Sequence, residues 1–245
     1  MIKNVLFVTL FAVVIAADAK KPCCGPTKFM AGNGASVGQV ITDPDTNTSR
    51  SEGFFTYQYG AFDFERKMFG YNMSVTYPNG TSTLIRLIQN YAQKYQYIIL
   101  DALQYCQKQQ VTEPQPTNCI PNNATWQSSF RIGGAKGGSL FADSWTYKFV
   151  HPKDAVEGDI VANVFQDDCS PFSTTFIGDR FEGGRKVPLI SMGGLLNLTS
   201  GIPHPEEWFT VPDFCPKEIN SLTTNMARSA SYLPDLEFFQ LPLFF

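Results

Sequence analysis

Histidine is almost missing from this chain: His151 and His204 are the two in 245 residues, and they are widely separated. Pro203 and Pro205 flank His204, a turn setting rather than a catalytic one. No zinc-type cysteine or histidine spacing and no glycine-rich phosphate loop is present, so the usual hydrolytic and phosphoryl chemistries lack their parts. A basic excess is missing too. Lys and Arg total 19 against 22 Asp and Glu, a net charge of -3, which removes the electrostatic footprint of a nucleic-acid binder. Long apolar runs are also lacking. Val5–Ala17 is cut short by Asp18, Lys20 and Lys21, and the aromatic ending Leu233–Phe245 is broken by Asp235 and Glu237. Neither reaches the roughly 20 residues of a membrane span.

What is present points to the secretory pathway. Lys3, the apolar run and the small-x-small triplet Ala17-Asp18-Ala19 form a signal peptide over residues 1–19, so the mature chain starts near Lys20. Six cysteines follow, at 23, 24, 106, 119, 169 and 215, an even number that fits three disulfides in an oxidising compartment. Many pairings are open, but adjacent Cys23 and Cys24 are too close to bond each other. Sequons begin at Asn47, Asn72, Asn79, Asn123 and Asn197. Each asks for a solvent-facing asparagine.

The organising stretch is Tyr95–Gly134, which reads as strand, stapled loop and strand, with Cys106 and Cys119 in the loop region and Trp126–Ile132 as the second strand. Upstream, Tyr57 and Tyr59, then Phe62 and Phe64, alternate with polar residues at the strand period, and Gly60-Ala61 reads as a turn between them. Asn72–Tyr77 and Leu84–Tyr91 form a hairpin through Pro78-Asn79-Gly80. Leu84–Tyr91 also fits helical spacing, but its neighbours favour strand. Downstream strands are Trp145–Val150, Asp159–Gln166, Phe172–Ile177 and Val187–Leu198, the last bent or bulged at Gly193-Gly194. Lys217–Arg228 suggests a short helix. One β domain over residues 20–228, with a tail at 229–245, accounts for the chain.

Two motifs imitate function. Gly34-Ala35-Ser36-Val37-Gly38 matches GxSxG, but it lies in a Gly- and Asn-rich stretch, Ala31–Ser51, that reads mainly as loop with a short strand at Val37–Ile41. A nucleophile elbow needs a strand before it and a helix after it. Asp43-Pro44-Asp45 opens like a calcium loop, yet Thr48 and Phe54 occupy the positions that need Gly and Glu.

Several pieces together carry a resemblance: Cys23-Cys24-Gly25-Pro26, Tyr105-Cys106-Gln107-Lys108, Ile120–Thr125 running on to Ile132-Gly133-Gly134, Asp168-Cys169-Ser170-Pro171, and Phe209–Cys215. In order and spacing the chain resembles the ependymin-related proteins from Cys23 to Cys215, departing from the vertebrate pattern at Cys24 and Cys119. The resemblance implies an all-β fold of two stacked, curved antiparallel sheets around an apolar pocket, like bacterial lipoprotein carriers. It implies a secreted or lysosomal homodimer associated with calcium, with roles in lipid binding and cell–matrix contact. It also implies disulfides Cys23–Cys169 and Cys106–Cys215, leaving Cys24 for Cys119.

The function expected is therefore binding rather than catalysis, with a lipid-like ligand held between sheets. Phe62, Phe64, Trp126 and Trp145 are the candidate pocket residues, although aromatics on alternating strands also make plain core. The rival reading is a matrix or adhesion glycoprotein acting through calcium and glycans. For calcium, Asp43-Asp45, Asp167-Asp168 and Asp179 with Glu182 are candidate clusters, each more often a solvated turn than a site, and no ligand residues are assigned.

Overall fold

In the computed structural model the described residues are 20–42, 46, 48–133, 138–151, 156–182 and 185–219. The signal peptide, the tail and most of Lys217–Arg228 lie outside them, as do Asn47 and the Asp43-Asp45 pair. The strands are β1 (Lys28–Thr42), β2 (Ser49–Asp63), β3 (Met68–Thr76), β4 (Ser82–Asn90), β5 (Tyr95–Leu100), β6 (Tyr105–Gln110), β7 (Thr125–Ile132), β8 (Leu140–His151), β9 (Val156–Phe165), β10 (Pro171–Glu182) and β11 (Arg185–Ser200). One short helix, α1 (Pro205–Phe209), follows. The protein is thus nearly all β.

All eleven strands belong to one antiparallel sheet, ordered β6-β5-β4-β3-β2-β1-β11-β10-β9-β8-β7. Two meanders, β1–β6 and β7–β11, are fused where β1 pairs with β11. The sheet is not closed, for β6 and β7 are its free edges. A flat sheet of this size would be about 48 Å wide at roughly 4.8 Å per strand. The connector 111–124 runs from one edge strand to the other, yet it is pinned midway, where the Asn118 side chain donates to the carbonyl oxygens of Gly25 and Pro26 at 2.7 and 3.2 Å. Beyond that pin the connector also turns back, the Ala124 N–H donating to the Pro121 carbonyl at 2.9 Å, so it is not extended enough to reach across a flat sheet and the sheet curls.

Burial gives the same result. Inward side chains from both halves, among them Leu87, Ile98, Ile160 and Val164, are each at most 4 % exposed and belong to one cluster. No helix covers that face among the described residues, so the two halves cover each other. The two layers are halves of a single hydrogen-bonded sheet.

Three local readings of the sequence need correction. Ala31–Ile41 is not mainly loop but the middle of the central strand β1. Its glycines alternate, and Gly32, Gly34 and Gly38 all fall on the outer face, where the Tyr57 ring of β2 lies against Gly32. Gly60-Ala61 is no turn but lies inside β2, because a side chain at Gly60 would collide with Gly70 and Tyr71 of β3. The real turn, Phe64–Lys67, has neither Gly nor Pro. It is held by the Asp63 carboxylate accepting from the Arg66 N–H at 2.8 Å, with Lys67 in the left-handed region at φ 59°. Gly193-Gly194 pairs in regular register with Ala35 and Gly34, and the irregularity falls instead between Met30 and Gly32, near left-handed Asn197. The Asn79-Gly80 hairpin does join β3 to β4, with Gly80 at φ 83°.

Among the described residues, the outer face is covered on one half alone. Residues 202–219 fold back over β2–β6: Trp208 stacks edge-on against Tyr59, and the Arg86 guanidinium donates to the carbonyls of Glu207 and Thr210 at 2.9 and 3.2 Å. A second cluster of Ile88, Tyr97, Ile99 and Cys215 seals the flap, and Cys215 is disulfide-bonded to Cys106 of β6. Gly70 lets the flap approach, since a Cβ there would strike the Trp208 carbonyl. Gly70→Ala should therefore cost about 1–3 kcal/mol. It is read as a lowered thermal midpoint with raised proteolysis of residues 202–219; an unchanged midpoint would refute the packing.

Candidate ligand-binding face

The inner face alternates along each strand, and its composition differs across the sheet. On β2 and β3 it is aromatic: Phe62 packs on Phe69 and Tyr71, and Phe64 packs on Phe29 and Phe69. Phe62 is 2 % exposed, whereas Phe64 is half-buried against the same cluster. On β8 the inward residues are Asp143, Trp145 and Tyr147, at alternate positions along the strand. Trp145 belongs to the same buried cluster as Phe62. Trp126 does not. It lies on edge strand β7 directly opposite Trp145, and at 37 % exposure it marks where the inner surface meets solvent.

Three of the four aromatics expected to line a pocket are thus gathered in the interior, and the fourth sits at its rim. Tyr147 carries no sequence signal of its own. Its period-two spacing from Trp145 is the cue that would have found it.

Asp143 anchors this end of the face. It accepts from the Lys20 ammonium at 2.6 Å, from the Ser129 hydroxyl of β7 at 2.6 Å and from the Gln166 amide at 2.7 Å. Burial alone would push its carboxyl up, but these three partners outweigh it and hold the carboxyl below its ordinary value. Burial raises the phenol of Tyr147, and it stays protonated at any physiological pH. The N-terminal segment is fixed further on by disulfides Cys23–Cys169 and Cys24–Cys119.

Among the described residues, two of the cavities lie away from the aromatic centre. One of about 480 Å³ sits at a corner between the β2–β3 and β4–β5 turns, lined by Lys67, Tyr91, Lys94 and 110–115. The other, about 380 Å³, is an apolar groove on and around the outer face, with Gly38, Val40, Ile177, Pro188 and Ile190 among its walls.

The remaining candidates are dispersed. Ser36 is exposed in mid-strand, not on an elbow. His204 is exposed, 3.4 Å from Glu206. The Asp168 carboxylate accepts from the Ser170 amide and hydroxyl, and Asp179 pairs with Lys186. No group of three potential metal ligands occurs among the described residues. Asn72, Asn79, Asn123 and Asn197 are all exposed.

The ependymin family model matches residues 79–215, more than half of the chain. The chain belongs to the ependymin family. It is similar to Development-specific protein LVN1.2 of Lytechinus variegatus, 36 % identical over 166 residues that cover 66 % of this chain and 87 % of that protein. Among solved structures it is similar to a DUF1329 family protein from Desulfovibrio piger (9 % identity, 75 % of this chain, 90 % of that one, TM-score 0.28). A β-barrel-like DUF1849 protein from Brucella abortus is similar too (10 % identity, 72 % and 98 % covered, TM-score 0.24). Likeness at those scores decides nothing about this chain.

The Asp143 clamp predicts an acid transition. Because the folded carboxyl lies below its unfolded value of about 3.9, the stability it contributes is present above that value and is lost as pH falls through the lower, folded one. Asp143→Asn should flatten the acid limb of a stability–pH curve while the profile above pH ~5 keeps its shape. An unchanged acid limb would remove the clamp from the account.

Proposed function

We propose that this ependymin-family protein is a secreted glycoprotein that works by binding, holding a lipid-like hydrophobic ligand against the inner face of its curled sheet. The observation that supports it is an unclosed sheet whose apolar inner surface runs to a free edge, ending at half-exposed Trp126 beside buried Trp145. An alkyl chain gains about 0.8 kcal/mol per CH₂ buried, so a chain of roughly twelve carbons offsets the entropy of capture. Three disulfides suit an oxidising compartment, and no helix among the described residues is long and apolar enough to cross a membrane. Exposed sequon asparagines are open to glycosylation. Calcium association comes with the family resemblance, and the described carboxylates do not fit a protein-built site for it.

The protein secreted from cells should release lipid on organic extraction and lose the matching mass between native and denaturing spectrometry. Trp126→Ser should weaken uptake of a fluorescent acyl probe roughly tenfold, equivalent to about 1.4 kcal/mol, with little change in thermal midpoint. No extractable lipid and no saturable, competable probe binding would sink the reading. A second reading, adhesion to matrix through glycans, draws on the four exposed asparagines; it predicts retention in matrix fractions without any lipid.

The ligand-bearing unit is a homodimer in this reading. On the part of the outer face left open among the described residues, Phe55 and Tyr57 of β2, Ile177 of β10, and Ile190, Met192 and Leu196 of β11 are 42–60 % exposed, on either side of the glycine-rich outer strip of β1. Soluble monomers rarely leave such a patch open. Ile190→Glu with Met192→Glu should convert the particle seen by light scattering to monomer mass without unfolding it. A native protein that is already monomeric at micromolar concentration after glycan removal would contradict the dimer.

A further inference from the structure

Two hydrogen-bond donors inside the fold have no acceptor among the described residues: the indole Nε1–H of Trp145 and the hydroxyl of Tyr147. Trp145 is 1 % exposed and Tyr147 7 %, so water does not reach their side chains freely. Buried Trp and Tyr normally find a partner, because an unpaired donor costs about 1–3 kcal/mol. Here the flanking strand offers none, since Ala162 and Ile160 stand opposite them on β9. Both side chains project from the same face of β8, their Cα atoms two residues and so about 7 Å apart. One sits directly opposite Trp126, where the inner face opens to solvent.

We propose that these two donors are the polar recognition point of the ligand site, and that they read a neutral carbonyl oxygen, the ester or amide of an acyl lipid, drawn inside with its chain. This rests on the ligand-binding reading above and adds to it the chemical class. A carboxylate fits less well: a buried anion needs a paired cation, and Lys20, the cation bound to this strand's inner face, is already paired with Asp143. Indole N–H donates only, and the phenol, kept protonated by burial, donates as well. A ligand carbonyl accepts from them what the flanking strand cannot.

The test compares three probes with one fluorophore and one chain length: 1-pyrenedecanoic acid methyl ester, decylpyrene, and the free 1-pyrenedecanoic acid. In the purified glycoprotein, stripped of endogenous lipid, the ester should bind more tightly than decylpyrene. Tyr147→Phe and Trp145→Phe should each weaken the ester about three- to tenfold more than they weaken decylpyrene. Without probe, Tyr147→Phe should keep or raise the thermal midpoint, since it removes a group that has no partner. The indole proton of Trp145, followed by NMR in the unmutated protein, should move downfield with the ester but not with decylpyrene, which keeps the test open if a variant fails to fold. If both probes bind and the variants weaken them equally or not at all, the donors do not read the ligand and the proposal falls while ligand binding stands. Free acid binding more tightly than ester overturns the neutral-carbonyl class. If no probe binds, the ligand-binding reading falls and takes this proposal with it.

Discussion

The pairing of β1 with β11 is the constraint on which everything else rests. Each of the two meanders could form locally through short turns, but either alone would expose an apolar face. Joining the strand nearest the start of the mature chain to the last strand turns them into one sheet, with partners running from Phe29 with Ser200 to Gln39 with Leu189. That junction is long-range, so its loop-closure entropy must be met before the inner faces can cover each other. The disulfide from Cys23, just ahead of β1, to Cys169, just ahead of β10, holds the same junction covalently.

Much of the fold was legible because strand chemistry is local. Alternating aromatics announced β2, Asn79-Gly80 announced the β3–β4 hairpin, and the tryptophan and valine runs announced β8 to β11. The errors share one cause. Glycine was read as punctuation, whereas in this sheet it removes side chains from chosen faces: Gly32, Gly34 and Gly38 clear a strip on the outside of β1, Gly60 admits β3, and Gly70 admits the flap. Nothing in one sequence tells a glycine that bends a chain from one that is leaned upon, because the partner lies far along the chain. The turns after Asp63 and Asn90, by contrast, are built on those side chains, whose capping bonds replace the need for Gly or Pro.

The candidate site follows the same division. Phe62, Phe64 and Trp145 could be named from pattern alone, since bulky residues at alternate positions must face some interior. Which of them would stand at an edge could not, for edge position depends on sheet order, and β7 became an edge strand only because the connector carries the chain right across from β6. The difference between Trp126 and Trp145 is therefore topological: the two are register partners, and one simply has a strand beyond it.

The placement of the cross-links has a consequence for a protein that meets proteases. Cys23–Cys169, Cys24–Cys119 and Cys106–Cys215 all join a residue at or before position 106 to one at or beyond 119. A peptide bond cut anywhere between those positions, as at exposed Thr112, Pro114 or Thr117 of the connector, severs the backbone yet leaves every covalent tie between the two halves in place. Such a nicked molecule, heavier by only the one water that hydrolysis adds, would stay a single covalent particle until reduced, and its sheet would stay whole, because no strand pairing of β1 with β11 depends on the chain being continuous there.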